Sequence, residues 1–332
     1  MIGEVGPVSR QFGATAVFDA YWRFAVERQR VFFRRLRDDL VLTTDSIIAQ
    51  HRFTNAYRAA DRVSQYLISH VIPGSQPTPN DLFFRILLFK IFNKIDTWEY
   101  LESRFGQLHF DMPITAINSA LTERMAAGNA IYSAAYIMPA PDCGQRMKHE
   151  NHLLLLASMM RERMPERWAS SCSLRELFNL LSGVRSLGPF LAFQYAIDLG
   201  YADIAPHDEG SYVVAGPGAR NGLAKCFART GRATPEELIM AVCEAQEEEF
   251  RARGLDFISL YGRRLQPVDC QNLFCEVDKY ARVHHPNFAA GGRSRIKQVY
   301  RRAGRPLDPL RFPRSWSLEP SADWALAIPP AV

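Results

Sequence analysis

The chain has 332 residues, 47% hydrophobic and 23% charged, with a formal net charge of +5. That is enough for one large globular core or two packed ones, and no apolar run approaches the ~18–20 residues of a membrane span. The longest, "LFFRILLFKIF" (Leu82–Phe92), is broken by Arg85 and Lys90.

The N-terminus shows no basic region followed by an apolar stretch, and Cys143, Cys172, Cys226, Cys243, Cys270 and Cys275 form no CxxC pair. A cytoplasmic protein with reduced thiols is expected, with no metal site and no cofactor. Lys90, Lys94, Lys148, Lys225, Lys279 and Lys297 are the only lysines, so the rest of the basic residues are arginine. Arginine's planar fork suits phosphates and guanine edges, although a GC-rich genome gives the same bias.

Taken in order, the pattern predicts an all-α fold. Phe18, Tyr21, Trp22, Ala25, Phe32, Phe33 and Leu36 mark an amphipathic helix over about 15–38. Thr44-Asp45-Ser46 offers N-caps for a helix near Ile47. Helices are expected over 57–72 and 82–94, and from Thr97. Others are expected near 113–127, 128–138, 147–163, 174–184, 189–199, 234–253 and 268–283. No alternating strand series and no internal repeat interrupts them. Composition marks no sharp boundary; 139–147 and 215–222 are the best hinges. The expected division is an N-terminal helical part over 1–145, a second helical part over 146–300 and a Pro-rich tail over 301–332.

"LLSGVRSLGPFLAFQYAIDLGYADIAPHDEG" (Leu180–Gly210) is the most informative stretch. An apolar helix stops at Ser186-Leu187-Gly188 and another starts at Pro189, which suits a helix's first turn. Gly188 is expected to supply positive φ or close backbone approach. Free amides at the second helix's start are expected to make a phosphate site that is blind to base sequence; the plainer reading is an ordinary helix–turn–helix corner in an all-α core.

Other polar groups invite chemical roles. Asn55, Arg58 and Arg62 are expected to share one helical face, with Asp61 beside them, either lining a pocket or forming a buried network. Gln194 and Asp198 lie one turn apart in an apolar helix and need partners. "AGPGARNG" (Ala215–Gly222) reads as an amide-rich loop, with Gly216, Gly218 and Arg220 near a phosphate or forming a plain turn. Glu276 and Lys279 are spaced for a helical ion pair. Arg293, Arg295 and Lys297, in the basic stretch Gly291–Arg305, either suit tracking along a DNA backbone or form a solvated face. "HENH" (His149–His152) is one residue short of the H-E-x-x-H metal motif, and no G-x-S-x-G or dinucleotide fingerprint occurs.

"LSGVRSLGPFLAFQ" resembles the helix-hairpin-helix element of the DNA glycosylase superfamily, patterned L-P-G-V-G-x-x-T-A. Ser186-Leu187-Gly188 fall on G-V-G and Leu191-Ala192 on T-A. The resemblance implies a glycosylase-like fold and a catalytic Asp about twenty residues after the glycine, which lands on Asp208, with Asp198 as fallback. Phe190 stands where lyase-type members carry Lys, which implies monofunctional hydrolysis. The substrate base is implied to leave the stack before its glycosidic bond is cut.

Four further blocks, "FTNAYRAADRVSQYLI", "FFRILLFKIFNKIDTWEYL", "VVAGPGARNGLAKCF" and "NLFCEVDKYAR", resemble the alpha-glutamyl/putrescinyl thymine pyrophosphorylase family, clade two, also described as amino acid:DNA transferases. This resemblance runs from about residue 15 to 300. It implies double-stranded phage DNA carrying modified pyrimidines as partner, and no obligate protein partner is evident. Asn55, Tyr57, Arg58, Asp61, Gln194, Glu276 and Lys279 are the expected substrate-binding residues. Two activities follow: excision of a bulky base such as glucosylated 5-hydroxymethylcytosine, or transfer of an amino acid or amine onto pyrophosphorylated 5-hydroxymethyluracil. The chain contains no GxxxxGK[ST] kinase loop, which favours excision. A non-catalytic DNA-binding module is the third reading.

Overall fold

The structure, a computed structural model, describes residues 6–74, 77–205, 207–288, 295–302 and 308–331. It is all-α. The helices are α1 (Pro7–Phe12), α2 (Ala16–Leu36), α3 (Ser46–Gln50), α4 (Arg62–Tyr66), α5 (Pro79–Phe92), α6 (Ile95–Phe105), α7 (Ile114–Ala126) and α8 (Lys148–Arg161). They continue as α9 (Met164–Ala169), α10 (Leu174–Ser182), α11 (Pro189–Gly200), α12 (Pro217–Cys226), α13 (Pro235–Glu244), α14 (Gln246–Ala252), α15 (Pro267–His284) and α16 (Ala322–Leu326). Among the described residues there is no β-strand, only isolated bridges such as His51 to Val299. Among the described residues no helix is long and apolar enough to cross a membrane.

The chain divides into two compact units that interleave in sequence. The first takes 1–61, 213–310 and 318–332, the second 62–212 and 311–317. Residue 145 therefore lies inside the second unit.

In the first unit α15 is the spine. Gln266 and Asp269 cap its start reciprocally around Pro267. α12 and α2 pack along it, and α12 comes close because two of its residues lack side chains. A Cβ on Gly222 would lie 2.0 Å from the Phe274 carbonyl oxygen, and one on Gly218 would lie 2.3 Å from Cys275 Sγ. α2 contributes the expected aromatic stripe: Tyr21 stacks on Phe274 at 4.4 Å and Trp22 meets Phe250 edge-on at 4.7 Å. The fully buried Glu249 accepts Val8 N–H at 2.8 Å, so a carboxylate sits at the positive end of α1.

In the second unit α5 is buried along nearly its whole length, with Thr78 and Asp81 forming a capping box ahead of it. α8, α9 and α11 pack against it. The two cations that interrupt its apolar run are buried with partners. Arg85 Nη2 donates to Pro73 O at 2.8 Å, and Lys90 Nζ to Asn93 Oδ1 at 2.9 Å. Antiparallel pairing of α10 and α11 makes the hairpin, and Leu174, Leu177 and Leu181 form the buried stripe of α10.

Several expected helices differ. Residues 128–138 are irregular, because Gly128 (φ +80°) turns the chain out of α7. Their backbone groups bond to neighbouring segments instead: Ser133 N–H to Phe92 O, and Ile131 O to Thr97 Oγ1. The expected 57–72 helix breaks into a 3-10 turn (Arg58–Ala60), α4 and a π turn (Leu67–Val71), with Asp61 extended between the first two. The 234–253 helix is interrupted at Ala245. Ala215–Gly222 is not a loop: from Pro217 it is the first half of α12.

Candidate functional site

The hairpin turn, 183–188, places its strain elsewhere than the sequence suggests. Ser186 takes the left-handed conformation (φ +66°), whereas Gly188 is extended at φ −67° and serves as N-cap of α11. Nor is Gly188 crowded, since a Cβ there would meet no atom within 4 Å. Gly188 and Pro189 are exposed, Leu187 is buried as the turn's anchor, and no side chain caps the first turn of α11. The turn thus presents Phe190 and Leu191 N–H groups, outside the helix's own ladder, behind a glycine with open space in front of it. Arg185, also exposed, is held at its base by Nη1 donating to Asp142 O at 2.6 Å.

Beyond the hairpin the carboxylates diverge. Asp198 is 0% exposed and its carboxylate lies 3.2 Å from Lys90 Nζ, the geometry of a core ion pair. Gln194, one turn earlier, is equally buried. Asp208 is exposed: Oδ1 accepts Gly210 N–H at 2.8 Å in a local turn, and the carboxylate faces solvent. Its neighbour His207 is tied down. Ser171 Oγ–H donates to Trp168 O at 2.6 Å, so the 2.9 Å contact between Ser171 Oγ and His207 Nε2 is donated by the imidazole. Burial lowers the His207 pKa, keeping the ring neutral.

The first unit holds a second polar assembly, built on the irregular segment 53–61. Asn55, Arg58 and Arg62 do not share a helical face there, because the backbone is extended around Asn55 and again at Asp61. Buried side chains fix the segment from several directions. Arg28, which sequence reasoning missed, donates through Nε to Thr54 O (2.9 Å) and through Nη2 to Asn55 Oδ1 (3.2 Å). Asn55 Nδ2 closes the loop on Ala60 O at 2.7 Å, so its amide is used within the loop. Asp269 accepts Arg58 N–H (2.8 Å), Tyr57 OH donates to Arg263 O (2.6 Å) and Glu276 accepts Thr54 N–H (3.3 Å). Glu276 and Lys279 form the expected ion pair at 2.6 Å. Asp61 accepts Asn55 N–H at 2.8 Å, and burial, reinforced by the Glu276 charge, pushes its carboxyl up to about 7. The spacing of Arg28 in α2 gave no clue to this role; it reads as one more surface arginine.

The phosphate cradle expected at Ala215–Gly222 is taken up by packing. Gly218 lies against Cys275. Arg220 donates through Nε to Ala215 O (3.1 Å) and pairs with Glu236 at 2.9 Å. Gly216 is the uncapped N-cap of α12. Arg295 and Lys297 are exposed on either side of buried Ile296, and Arg293 lies outside the described residues.

The HENH histidines are core struts. His152 Nε2 donates to Pro139 O (3.0 Å), leaving Nδ1 to accept Tyr132 OH (2.8 Å). Thr122 Oγ1 donates to Asn118 O, so it accepts from His149 Nε2 at 2.9 Å. Among the described residues no cluster of three His, Cys, Asp or Glu could hold a metal ion.

Residues 15–290 match the family described as the 5-hmdU DNA kinase, helical domain. The match covers most of the chain, and the chain belongs to this family, whose helical domains are related to DNA modification. Neither a curated protein nor a solved structure matches it.

Proposed function

We propose that this member of the helical-domain family is a monofunctional DNA glycosylase. It flips a bulky modified pyrimidine out of phage DNA and cuts its glycosidic bond, leaving an abasic site as an anti-phage defence. The observation that carries this reading is the hairpin. An exposed, uncapped helix start behind the unobstructed Gly188 is followed by the open carboxylate of Asp208 in the loop after the second helix. Family membership supports modified-base DNA as the substrate.

In the proposed mechanism the hairpin amides hold a backbone phosphate. As the bond between C1′ and the base nitrogen breaks, positive charge develops on the sugar, and ionised Asp208 stabilises it or orients the attacking water. Water oxygen bonds to C1′, and the released base leaves with the electron pair and takes up a proton. Asp198, paired with Lys90 inside α11's packing, serves the core in this scheme. In the first unit the exposed Arg295 and Lys297 contribute backbone contacts.

The test is incubation with DNA carrying glucosylated 5-hydroxymethylcytosine, 5-hydroxymethyluracil or no modification, followed by alkali. Strand breaks confined to glucosylated DNA and absent with Asp208→Asn support excision. Intact strands throughout sink it. The family's connection to 5-hmdU favours, as second reading, an amino acid:DNA transferase acting on pyrophosphorylated 5-hydroxymethyluracil, detected as a mass shift in the released nucleoside.

A further inference from the structure

The C-terminal segment 311–317 returns to the second unit and meets the loop that follows α11. Gln65 receives it in both directions, Nε2 donating to Arg311 O at 2.9 Å and Oε1 accepting Arg311 N–H at 3.0 Å. Phe312 stacks on Trp316 at 6.1 Å, and Trp316 meets Tyr201 edge-on at 5.8 Å. Between these contacts, Arg314–Trp316 forms a 3-10 turn whose N-terminal amides are bound by Asp203. Its carboxylate accepts Arg314 N–H at 2.6 Å, Ser315 N–H at 3.4 Å and the Ser315 hydroxyl.

Asp203 itself has φ +54°, a left-handed conformation that aspartate tolerates but does not favour. In the stretch that follows α11, Asp203 is therefore held by the tail and His207 by its bond to Ser171. Tyr212 closes it, edge-on to Phe193 at 6.1 Å and under the Arg175 guanidinium at 4.7 Å. Asp208 sits between the second and third of these anchors. The Asp203 contacts are exposed on both sides, and exposed polar contacts add little to stability. Their effect is on where the loop stands.

We propose that the C-terminal segment 311–317 is a clamp on the Asp208 loop, and that Asp203 is its positioning residue. The clamp matters to chemistry because a carboxylate must meet the developing sugar cation within a fraction of an ångström, and a 1 Å misplacement costs on the order of 100-fold in rate. This rests on the excision reading for its catalytic consequence, but not for the clamp itself.

Two measurements on the full chain, made on wild type, Asp203→Ala and Asp203→Asn, separate the two. The first is hydrogen exchange of the amides in 201–212. It is expected to speed up in Asp203→Ala while Asp203→Asn, which keeps an acceptor oxygen, restores much of the protection. The second is single-turnover and steady-state excision. Asp203→Ala is expected to lose at least about tenfold in kcat with KM for DNA unchanged. Unchanged loop exchange in Asp203→Ala overturns the clamp. Faster exchange with kcat intact overturns its positioning role. Absence of excision by the wild type overturns the glycosylase reading, and the exchange result then decides the clamp alone.

Discussion

Lys90 Nζ stands 3.2 Å from the Asp198 carboxylate, with the lysine side chain 3% exposed and the aspartate 0%. Each charge was removed from water to make this contact, so either one left alone in the core is costly. Lys90→Met is expected to lower unfolding stability by about 3–5 kcal/mol. Lys90→Met with Asp198→Leu is expected to regain most of that loss in urea titrations. The double variant also probes chemistry. If it folds stably but makes no abasic sites where wild type does, Asp198 returns as the catalytic carboxylate.

Gly218 and Gly222 differ in what a methyl group would strike. At Gly222 the obstacle is a backbone carbonyl, Phe274 O at 2.0 Å, which no side-chain change removes. At Gly218 it is Cys275 Sγ at 2.3 Å. Gly222→Ala is expected to cost about 1–3 kcal/mol or more, whatever residue stands at 275. The Gly218→Ala penalty, by contrast, should shrink in a Cys275→Ala background. A double-mutant cycle by thermal unfolding measures this. Loss of DNA binding by Gly218→Ala with stability intact would restore the phosphate role that packing now displaces.

The Asp61 carboxyl, raised to about 7 by burial, titrates differently folded and unfolded. An unfolded aspartate ionises near 3.9, so between about pH 4 and 7 the folded chain holds more protons than the unfolded one. Its contribution to stability is whole below that window and is lost as pH rises through it. Asp61→Asn is expected to raise Tm relative to wild type by an amount that grows from pH 4 to 7 and is flat above. His149 and His152 run the other way. Burial depresses both rings, so stability is whole above about pH 6.5 and is lost as pH falls below it. A Tm difference for Asp61→Asn that is independent of pH would place its carboxyl in the ordinary range.

What could be read from the sequence was whatever depends on neighbours three and four residues away. The stripe of α2, the Asp45-capped start of α3, the α10–α11 hairpin and the Glu276–Lys279 pair are all local, and the structure has each of them. What could not be read depends on partners far along the chain. The spacing of Asn55, Arg58 and Arg62 looks helical, but Arg28, Asp269 and Glu276 supply the backbone groups of 53–61 with better partners than a helix would. "GPGARNG" looks like a loop because glycine and proline usually break helices. Here proline starts the helix and the glycines let α15 approach, a need that exists only once the two are packed. The arginine in α2 that orders the candidate site carries no local mark at all.

Gly188 offers a clean separation of folding from binding. Its φ of −67° suits any residue, and a Cβ there meets nothing within 4 Å. Gly188→Ala is therefore expected to leave Tm within about a degree, the size of an ordinary surface change. A phosphate seated on the α11 amides, however, would find the methyl in its path. DNA affinity should fall several-fold for every sequence alike, since backbone contacts carry no base information. Arg185→Ala should weaken binding in a second, distinguishable way. Removing a cation lowers the slope of log affinity against log salt by about one, whereas Gly188→Ala leaves that slope alone. Fluorescence anisotropy across a salt series reads both. Wild-type affinity in Gly188→Ala would mean that the hairpin faces away from DNA and that another surface binds it.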